Sequence, residues 1–347
     1  MKLAERIETF ASLGEPLRDA LAGKQTGHSR RLNELIEKQY LKNPWFTPPG
    51  VRLAVSAIAS ELVHDRLSHW CSAYPALDEE ITPANVGVVM AGNIPLAGFH
   101  DFLSILISGN RIIAKKSSKD PDLIELIADI VISLNPAFGT MISLTEDRLS
   151  GFDMIIATGS DNSARYFEYY FGRYPHIIRR NRNSIAIIDG TESKGELREL
   201  GNDVFSYFGL GCRNVSLVFL PEGYDIRDII SVWHEFSSAG NHNKYAGNYD
   251  FHKAVFLVNR QEFTDTGFLL LKEDNSLSSP VSVLHYSFYK TAEELQSWIS
   301  TRKDKIQCIT GHGHVPFGRS QMPALWDYAD GVDTIEFLLK KKQRGIL

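Results

Sequence analysis

Cys212 is the residue of this chain best placed to act as a nucleophile. It follows the stretch FSYFGLG (205–211) and precedes the apolar run VSLVFL (215–220). A thiolate attacks a carbonyl or thioester only where the backbone around it admits the substrate, and Gly209 and Gly211 can supply that clearance. A lone cysteine beside an apolar run is otherwise an inert packing residue, so the reading depends on what accompanies it. Asn93, in AGNIPLAG (91–98) just past another apolar run, can aim its side-chain amide at a developing oxyanion; the alternative is a turn-forming asparagine. Lys115 and Ser117, in GNRIIAKKSSKD (109–120), suit the hydroxyls or 2′-phosphate of a nucleotide ribose, or are simply solvated. Gly159 and Ser160, in ATGSD (157–161), open a helical stretch whose free N–H groups could face a pyrophosphate.

Those residues need a framework, and the hydrophobic pattern supplies one. VGVVM (86–90), RIIAK (111–115), MISLT (141–145) and MIIATG (154–159) are short apolar, β-rich runs, separated or followed by helical stretches over 97–108, 120–134 and 160–171. Continuous apolar strands joined by helices predict an α/β fold with a doubly wound parallel sheet, whose ligands gather at the carboxyl ends of the strands. No G-x-G-x-x-G follows the first strand, so an ordinary dinucleotide phosphate loop is not indicated. Upstream, residues 1–76 read as an N-terminal helical cap, interrupted at Asn43 and Pro44 and again at Thr47, Pro48, Pro49 and Gly50. Within the cap, 51–74 has the apolar spacing of one core-facing helix. A second doubly wound domain is expected from Asn183: a strand at 184–188, a helix at 194–208, the cysteine turn, a strand at 215–220, a helix at 226–237, and strands at 254–258 and near 281–284. The predicted division is 1–182 for the N-terminal helices and a dinucleotide-binding domain, 183–311 for a catalytic domain, and 312–347 for a segment returning to the first.

With 347 residues, 43% hydrophobic and 23% charged, the chain has the size and composition of a two-domain globular protein. A formal net charge of −5 argues against a dedicated nucleic-acid binder. Cys71, Cys212 and Cys308 are far apart and lack C-x-x-C spacing, and the histidines are scattered, so neither disulfide framework nor metal site is expected. His314, beside Pro316, Phe317 and Gly318, is the histidine to consider as an acid or base, although a structural role is the commoner one. The amphipathic start lacks the form of an export signal, and no run reaches the length of a membrane span. A cytoplasmic location follows as the expectation, with the terminal KKKQRG (340–345) a solvated tail.

Taken in order, the loop with Asn93, Ile94 and Pro95, the 109–117 segment, the turn with Thr158, Gly159 and Ser160, and the G-x-x-C spacing from Gly209 to Cys212 resemble the aldehyde dehydrogenase superfamily. RRNRNSIAII (179–188), NHNKYAGNYDFHKAVFLV (241–258) and VPFGRSQMPALWDYADG (315–331) resemble a narrower branch, the LuxC-type acyl-CoA reductases. The resemblance covers most of 86–338. It implies an aldehyde-dehydrogenase-like fold, Cys212 as nucleophile, Asn93 as oxyanion donor, and Lys115, Ser117, Gly159 and Ser160 around NADPH, with NADH as the other candidate.

One departure from the family pattern bears on the chemistry. Aldehyde oxidisers of this superfamily carry a glutamate that activates the hydrolytic water, and the corresponding position here lies near Ile178, in PHIIRRNRN, without a carboxylate. The resemblance therefore favours reduction: a CoA or acyl-protein thioester acylates Cys212, and hydride releases the aldehyde. Arg173, Arg179, Arg180 and Arg182 either meet the phosphates of CoA or dinucleotide or form a solvated basic face. The competing readings are an NAD(P)-dependent dehydrogenase of small aldehydes and a catalytically degenerate nucleotide-binding subunit. Self-association or partnership with acyl-transfer enzymes is compatible with all three.

Overall fold

A computed structural model describes residues 1–79 and 82–340. Contacts divide the chain into two compact units: Met1–Asn181 with the segment from Ala324, and Arg182–Pro323.

In the first unit the chain begins with α1 (Leu3–Leu21), α2 (Gly27–Lys38), α3 (Pro48–Glu61) and α4 (His64–Ser72). α3 starts at its prolines because a first-turn N–H needs no helical partner, and Thr47 caps it by accepting from the Gly50 N–H at 3.4 Å. The single helix expected over 51–74 is two. Leu62 leaves helical geometry (φ −83°, ψ 63°), and the Arg18 guanidinium donates to the carbonyls of Ala59 and Leu62 at 3.0 and 3.2 Å, satisfying oxygens that a continuing helix would have used. These helices share the core of the first sheet. Phe10, Leu13 and Leu17 are fully buried in the same apolar cluster as Val86, Ile112 and Ile127, and Phe10 meets Phe138 edge-on at 5.7 Å.

That cluster surrounds a five-stranded sheet in the order β3-β2-β1-β4-β5, made of β1 (Asn85–Val89), β2 (Arg111–Lys115), β3 (Ile142–Thr145), β4 (Met154–Thr158) and β5 (His176–Arg179). All four pairings are parallel. The crossovers are α5 (Phe99–Ile107), α6 (Asp122–Leu134) and α7 (Asp161–Phe171), while α12 (Thr334–Lys340) returns to this unit from the far end of the chain. Because β1 lies between β2 and β4, successive connections leave in opposite directions there, and the crevice of a doubly wound sheet opens at the carboxyl ends of those strands. β5 was not anticipated, since HIIR carries only two apolar residues. Ile177 is buried, and Arg179 is buried beside Asp101.

The second unit contains β6 (Asn183–Ile187), α8 (Lys194–Phe205), β7 (Val215–Pro221), α9 (Arg227–Trp233), α10 (Asn243–Val258), β8 (Thr264–Asp265), β9 (Leu270–Glu273), β10 (Val283–Tyr289), α11 (Ala292–Ser300) and β11 (Ile306–Thr310). Its sheet runs β11-β6-β7-β10-β9-β8, antiparallel only between β8 and β9. The strand expected at 254–258 is instead the end of α10. A run of five apolar residues fits a buried strand or a helix equally, and here the helix begins upstream, where the His242 ring caps it by accepting from the Tyr245 N–H at 3.3 Å. Phe256 packs with Leu270 and Val283, while Leu257 and Val258 are exposed. The return to the first unit starts at Ala324 and not at His312, because Val315 bridges Thr310 at the end of β11 and keeps the intervening residues on the second sheet.

Among the described residues no helix is long and apolar enough to cross a membrane. Of the terminal KKKQRG, the residues after Lys340 lie outside those described.

Candidate active site

Cys212 is exposed, in no disulfide, and sits in the turn between α8 and β7. It is thus at the amino edge of the second sheet, unlike the ligand loops of the first, which follow strands. Gly209 adopts φ 79°, and a Cβ there would come no closer than 3.8 Å to its nearest neighbour, the Val204 oxygen. It is the left-handed backbone rather than lack of room that calls for glycine. Gly211 is buried, and its N–H donates to Asn214 Oδ1 at 2.8 Å. The Cys212 carbonyl accepts from the Ser184 hydroxyl at 3.0 Å, and that hydroxyl oxygen in turn accepts from the Cys308 N–H at 3.1 Å. Of the other thiols, Cys71 is buried, which pushes its pKa up to about 11, so its thiolate is scarce at neutral pH.

The segment after β11 runs beside α8 and is held at both ends of that helix. At its start, His312 donates from Nδ1 to Asp189, just ahead of the helix, at 2.8 Å and from Nε2 to Glu196 in the first turn at 3.0 Å. In its last turn, buried Asp203 accepts from the Gly318 and Ser320 N–H groups at 2.8 and 2.9 Å. The twelve residues of α8 span about 18 Å. His314, two residues beyond His312, is exposed, and its N–H donates to the Gly311 carbonyl at 3.1 Å. Asp189, Glu192 and His312 also bring ligand-capable atoms within 4.8 Å of one another, a grouping the scattered histidines of the sequence did not suggest; in this structure both imidazole nitrogens are taken by carboxylates.

The clasp gives a pH prediction. Bonds to Glu196 and Asp189 raise His312 from 6.5 to about 9, so its stabilisation is complete below pH 6.5 and disappears as pH rises through 9. Glu196 and Asp189 are each lowered to about 2, chiefly by the bond to His312 and by that to Thr191 respectively, so their share is lost only in strong acid. His312→Gln should lower Tm most between about pH 5 and 6.5 and not at all above about pH 9.5. A Tm difference independent of pH would show that the imidazolium is not what holds this segment.

In the first unit the predicted cofactor residues gather at the carboxyl edge of the sheet. Asn93 is exposed in the loop after β1. Its neighbour Gly92 lies against Ser117, whose Oγ would be 2.2 Å from an added Cβ. Asp120 sets the loop: it accepts from the N–H of Leu96, a residue at φ 56°, at 2.7 Å, and burial pushes its carboxyl up to about 6. Ser117 Oγ accepts from the Lys119 N–H at 3.3 Å. Lys115 donates to the main-chain carbonyls of Glu146 and Asp147 at 2.9 and 3.4 Å, immediately after β3.

Gly159 differs from its expected role, since its N–H goes to the Arg179 carbonyl at 3.3 Å. A Cβ there would be 2.7 Å from Ser163 Cβ and 2.9 Å from the Phe167 ring, so glycine serves close packing of α7 against the strand end. Ser160 caps α7, accepting from the Ser163 N–H at 3.3 Å. The arginine cluster does not form one phosphate site. Arg179 pairs with Asp101, donating from Nη2 at 2.8 Å, and also bonds Thr334; Arg180 pairs with Glu168; Arg182 donates to the Ile306 carbonyl; and Arg173 lies over the Tyr174 ring. Asp120, Asp203, Asn214 and the His312 clasp were missed in the sequence because each works through partners that spacing does not reveal.

No family model matches the sequence. It is similar to the long-chain acyl-protein thioester reductase 2 of Photobacterium leiognathi, 22% identical over 248 residues, which are 67% of this chain and 47% of that protein; the chain spans about half the length of this curated relative. Among solved structures, an aldehyde dehydrogenase of Mycobacterium tuberculosis complexed with NAD+ matches with a TM-score of 0.64 at 14% identity, over 89% of this chain and 73% of that one. Aldehyde dehydrogenase 21 of Physcomitrella patens, complexed with the reaction product succinate, matches with a TM-score of 0.64 at 12% identity, over 98% and 84%. Lactaldehyde dehydrogenase of Escherichia coli matches with a TM-score of 0.61 at 15% identity, over 89% and 74%. The chain has the aldehyde dehydrogenase fold, and the resemblance to LuxC-type thioester reductases read from its motifs is also what the sequence comparison returns.

Proposed function

We propose that this protein reduces an acyl thioester, a fatty acyl-CoA or acyl-protein, to the aldehyde through an acyl-Cys212 intermediate. The observation that carries the reading is an exposed thiol on a hydrogen-bonded turn, in a chain that carries no carboxylate near Ile178, where the resemblance expects the water-activating glutamate. Cys212 attacks the thioester carbonyl; a new C–S bond forms, the bond to the departing thiol breaks, and that thiol leaves with a proton. The Asn93 amide is assigned to the oxygen that becomes negative in this step. Ser117, Lys115 and Ser160 at the start of α7 are the residues that would hold a nicotinamide dinucleotide; when bound it supplies hydride to the acyl carbon. Collapse of the resulting hemithioacetal releases the aldehyde and returns the Cys212 thiolate. Oxidation of an aldehyde to the free acid, the competing reading that the fold neighbours suggest, requires a base for water that the Ile178 position does not provide.

Cofactor choice rests on two side chains after adjacent strands. Lys115 suits a 2′-phosphate, favouring NADPH, whereas the Glu146 carboxylate, 3.6 Å from Lys116 Nζ, suits a ribose hydroxyl and repels a phosphate. Lys115→Glu should raise the KM for NADPH about tenfold or more, worth about 1.4 kcal/mol, while changing that for NADH less, and Glu146→Gln should shift the ratio the other way. Steady-state aldehyde formation from acyl-CoA with each cofactor measures both. An unchanged NADPH KM in Lys115→Glu removes Lys115 from the site, and no reduction with either cofactor removes the proposed function.

A further inference from the structure

The end of α8 is strained where it delivers the nucleophile. Tyr207, Phe208 and Gly209 take φ of 50°, 57° and 79° in succession, a conformation that residues with a Cβ avoid and that persists only where the surroundings fix it. Tyr207 is buried, and the Phe208 ring packs against His242 at 4.5 Å and Tyr245 at 5.9 Å. The excursion takes the backbone away from the last carbonyls of the helix, which then need other donors.

One side chain provides them. Asn214, 1% exposed, directs Nδ2 to the carbonyls of Ser206 at 2.7 Å, Asp203 at 3.0 Å and Val204 at 3.4 Å. Its Oδ1 accepts from the Gly211 N–H at 2.8 Å, and its own N–H donates to the Gly211 carbonyl at 3.0 Å. Gly211 and Asn214 are thus joined twice, and the two residues enclosed between them are Cys212 and Arg213. The same amide secures the helix end before the strained residues and the turn after them. An apolar replacement would leave these buried carbonyls and the Gly211 N–H without their partner.

We infer that Asn214 is a positioning residue that aims the Cys212 thiol, an inference that rests on Cys212 being the nucleophile. Its function is directional. A small alkylating reagent can reach an exposed thiol from many angles, whereas attack on a bound thioester requires one geometry, and a misplacement of about 1 Å costs about 10²-fold.

The test compares wild type with Asn214→Ala and Asn214→Ser, the serine retaining one donor and one acceptor should the alanine variant not fold. Cys212 acylation by a medium-chain acyl-CoA is followed by quenched-flow intact mass spectrometry, and Cys212 alkylation by iodoacetamide is followed in parallel. Acylation should fall about 10²-fold in Asn214→Ala and less in Asn214→Ser, while alkylation changes less than about threefold. Acylation per alkylatable Cys212 that stays within about threefold of wild type in the folded variants would overturn the positioning role alone. A wild type that alkylates but is never acylated would overturn the reading of Cys212 and this role with it.

Discussion

Cys212→Ala should abolish aldehyde formation from acyl-CoA, a loss of at least about 10⁴-fold, without disturbing the fold. The expectation rests on the covalent route: without the thiol there is no atom to carry the acyl group between the departing thiol and hydride. The fold should survive because Cys212 is exposed, and hydrogen bonds of the turn engage its carbonyl, through Ser184, and its neighbours, through Asn214. The control thiols should respond differently. Cys71 is buried among apolar residues of the first unit, so Cys71→Ala should affect stability more than turnover. Cys308→Ala removes a 3.1 Å contact from its thiol to Ser184 but keeps the backbone bond to that hydroxyl, and activity should stay within about threefold. The measurements are reduced-cofactor consumption, intact mass after acyl-CoA addition, and thermal melting of each variant. If Cys212→Ala kept more than trace activity, the covalent mechanism would be wrong.

What could be read from the sequence was what local pattern determines. The runs at 86–90, 111–115, 141–145, 154–159 and 215–220 are strands because continuous apolar residues of that length suit a sheet buried on both faces, and their order was enough to expect the doubly wound first unit. Pattern failed where a polar partner decided the outcome. Arg179 looked like one member of a basic cluster, but Asp101, 78 residues away in sequence, holds it inside the first unit. His312 looked like a scattered histidine, but Asp189 and Glu196, 123 and 116 residues away, hold both its nitrogens. AVFLV looked like a strand because the run alone does not reveal that a cap at His242 starts a helix twelve residues earlier. For the cysteine turn, the glycines pointed to the place, whereas the residue that fixes it, Asn214, is recognisable only once its burial and its acceptors are known.

The expected direction of reaction rests on the carboxylate that the chain lacks near Ile178. Near Ile178, where the resemblance places the water-activating glutamate, the chain carries no carboxylate; Ile178 pairs with Ala157 in the parallel sheet, flanked by buried Ile177 and by Arg179, whose partner Asp101 is committed to that ion pair. In the second unit, His312 is held protonated by two carboxylates, its pKa raised to about 9. Acyl-Cys212 should therefore hydrolyse slowly, at least about 10²-fold more slowly than it forms, and accumulate when acyl-CoA is added without reductant. Intact mass spectrometry should show one added acyl group, absent in Cys212→Ala, and addition of NADPH or NADH should discharge it as aldehyde. In reverse, aldehyde with oxidised cofactor should yield little free acid until CoA is supplied to accept the acyl group. Rapid formation of free acid with no thiol present would mean that another group activates water, and the protein would then be an aldehyde dehydrogenase in activity as well as in fold.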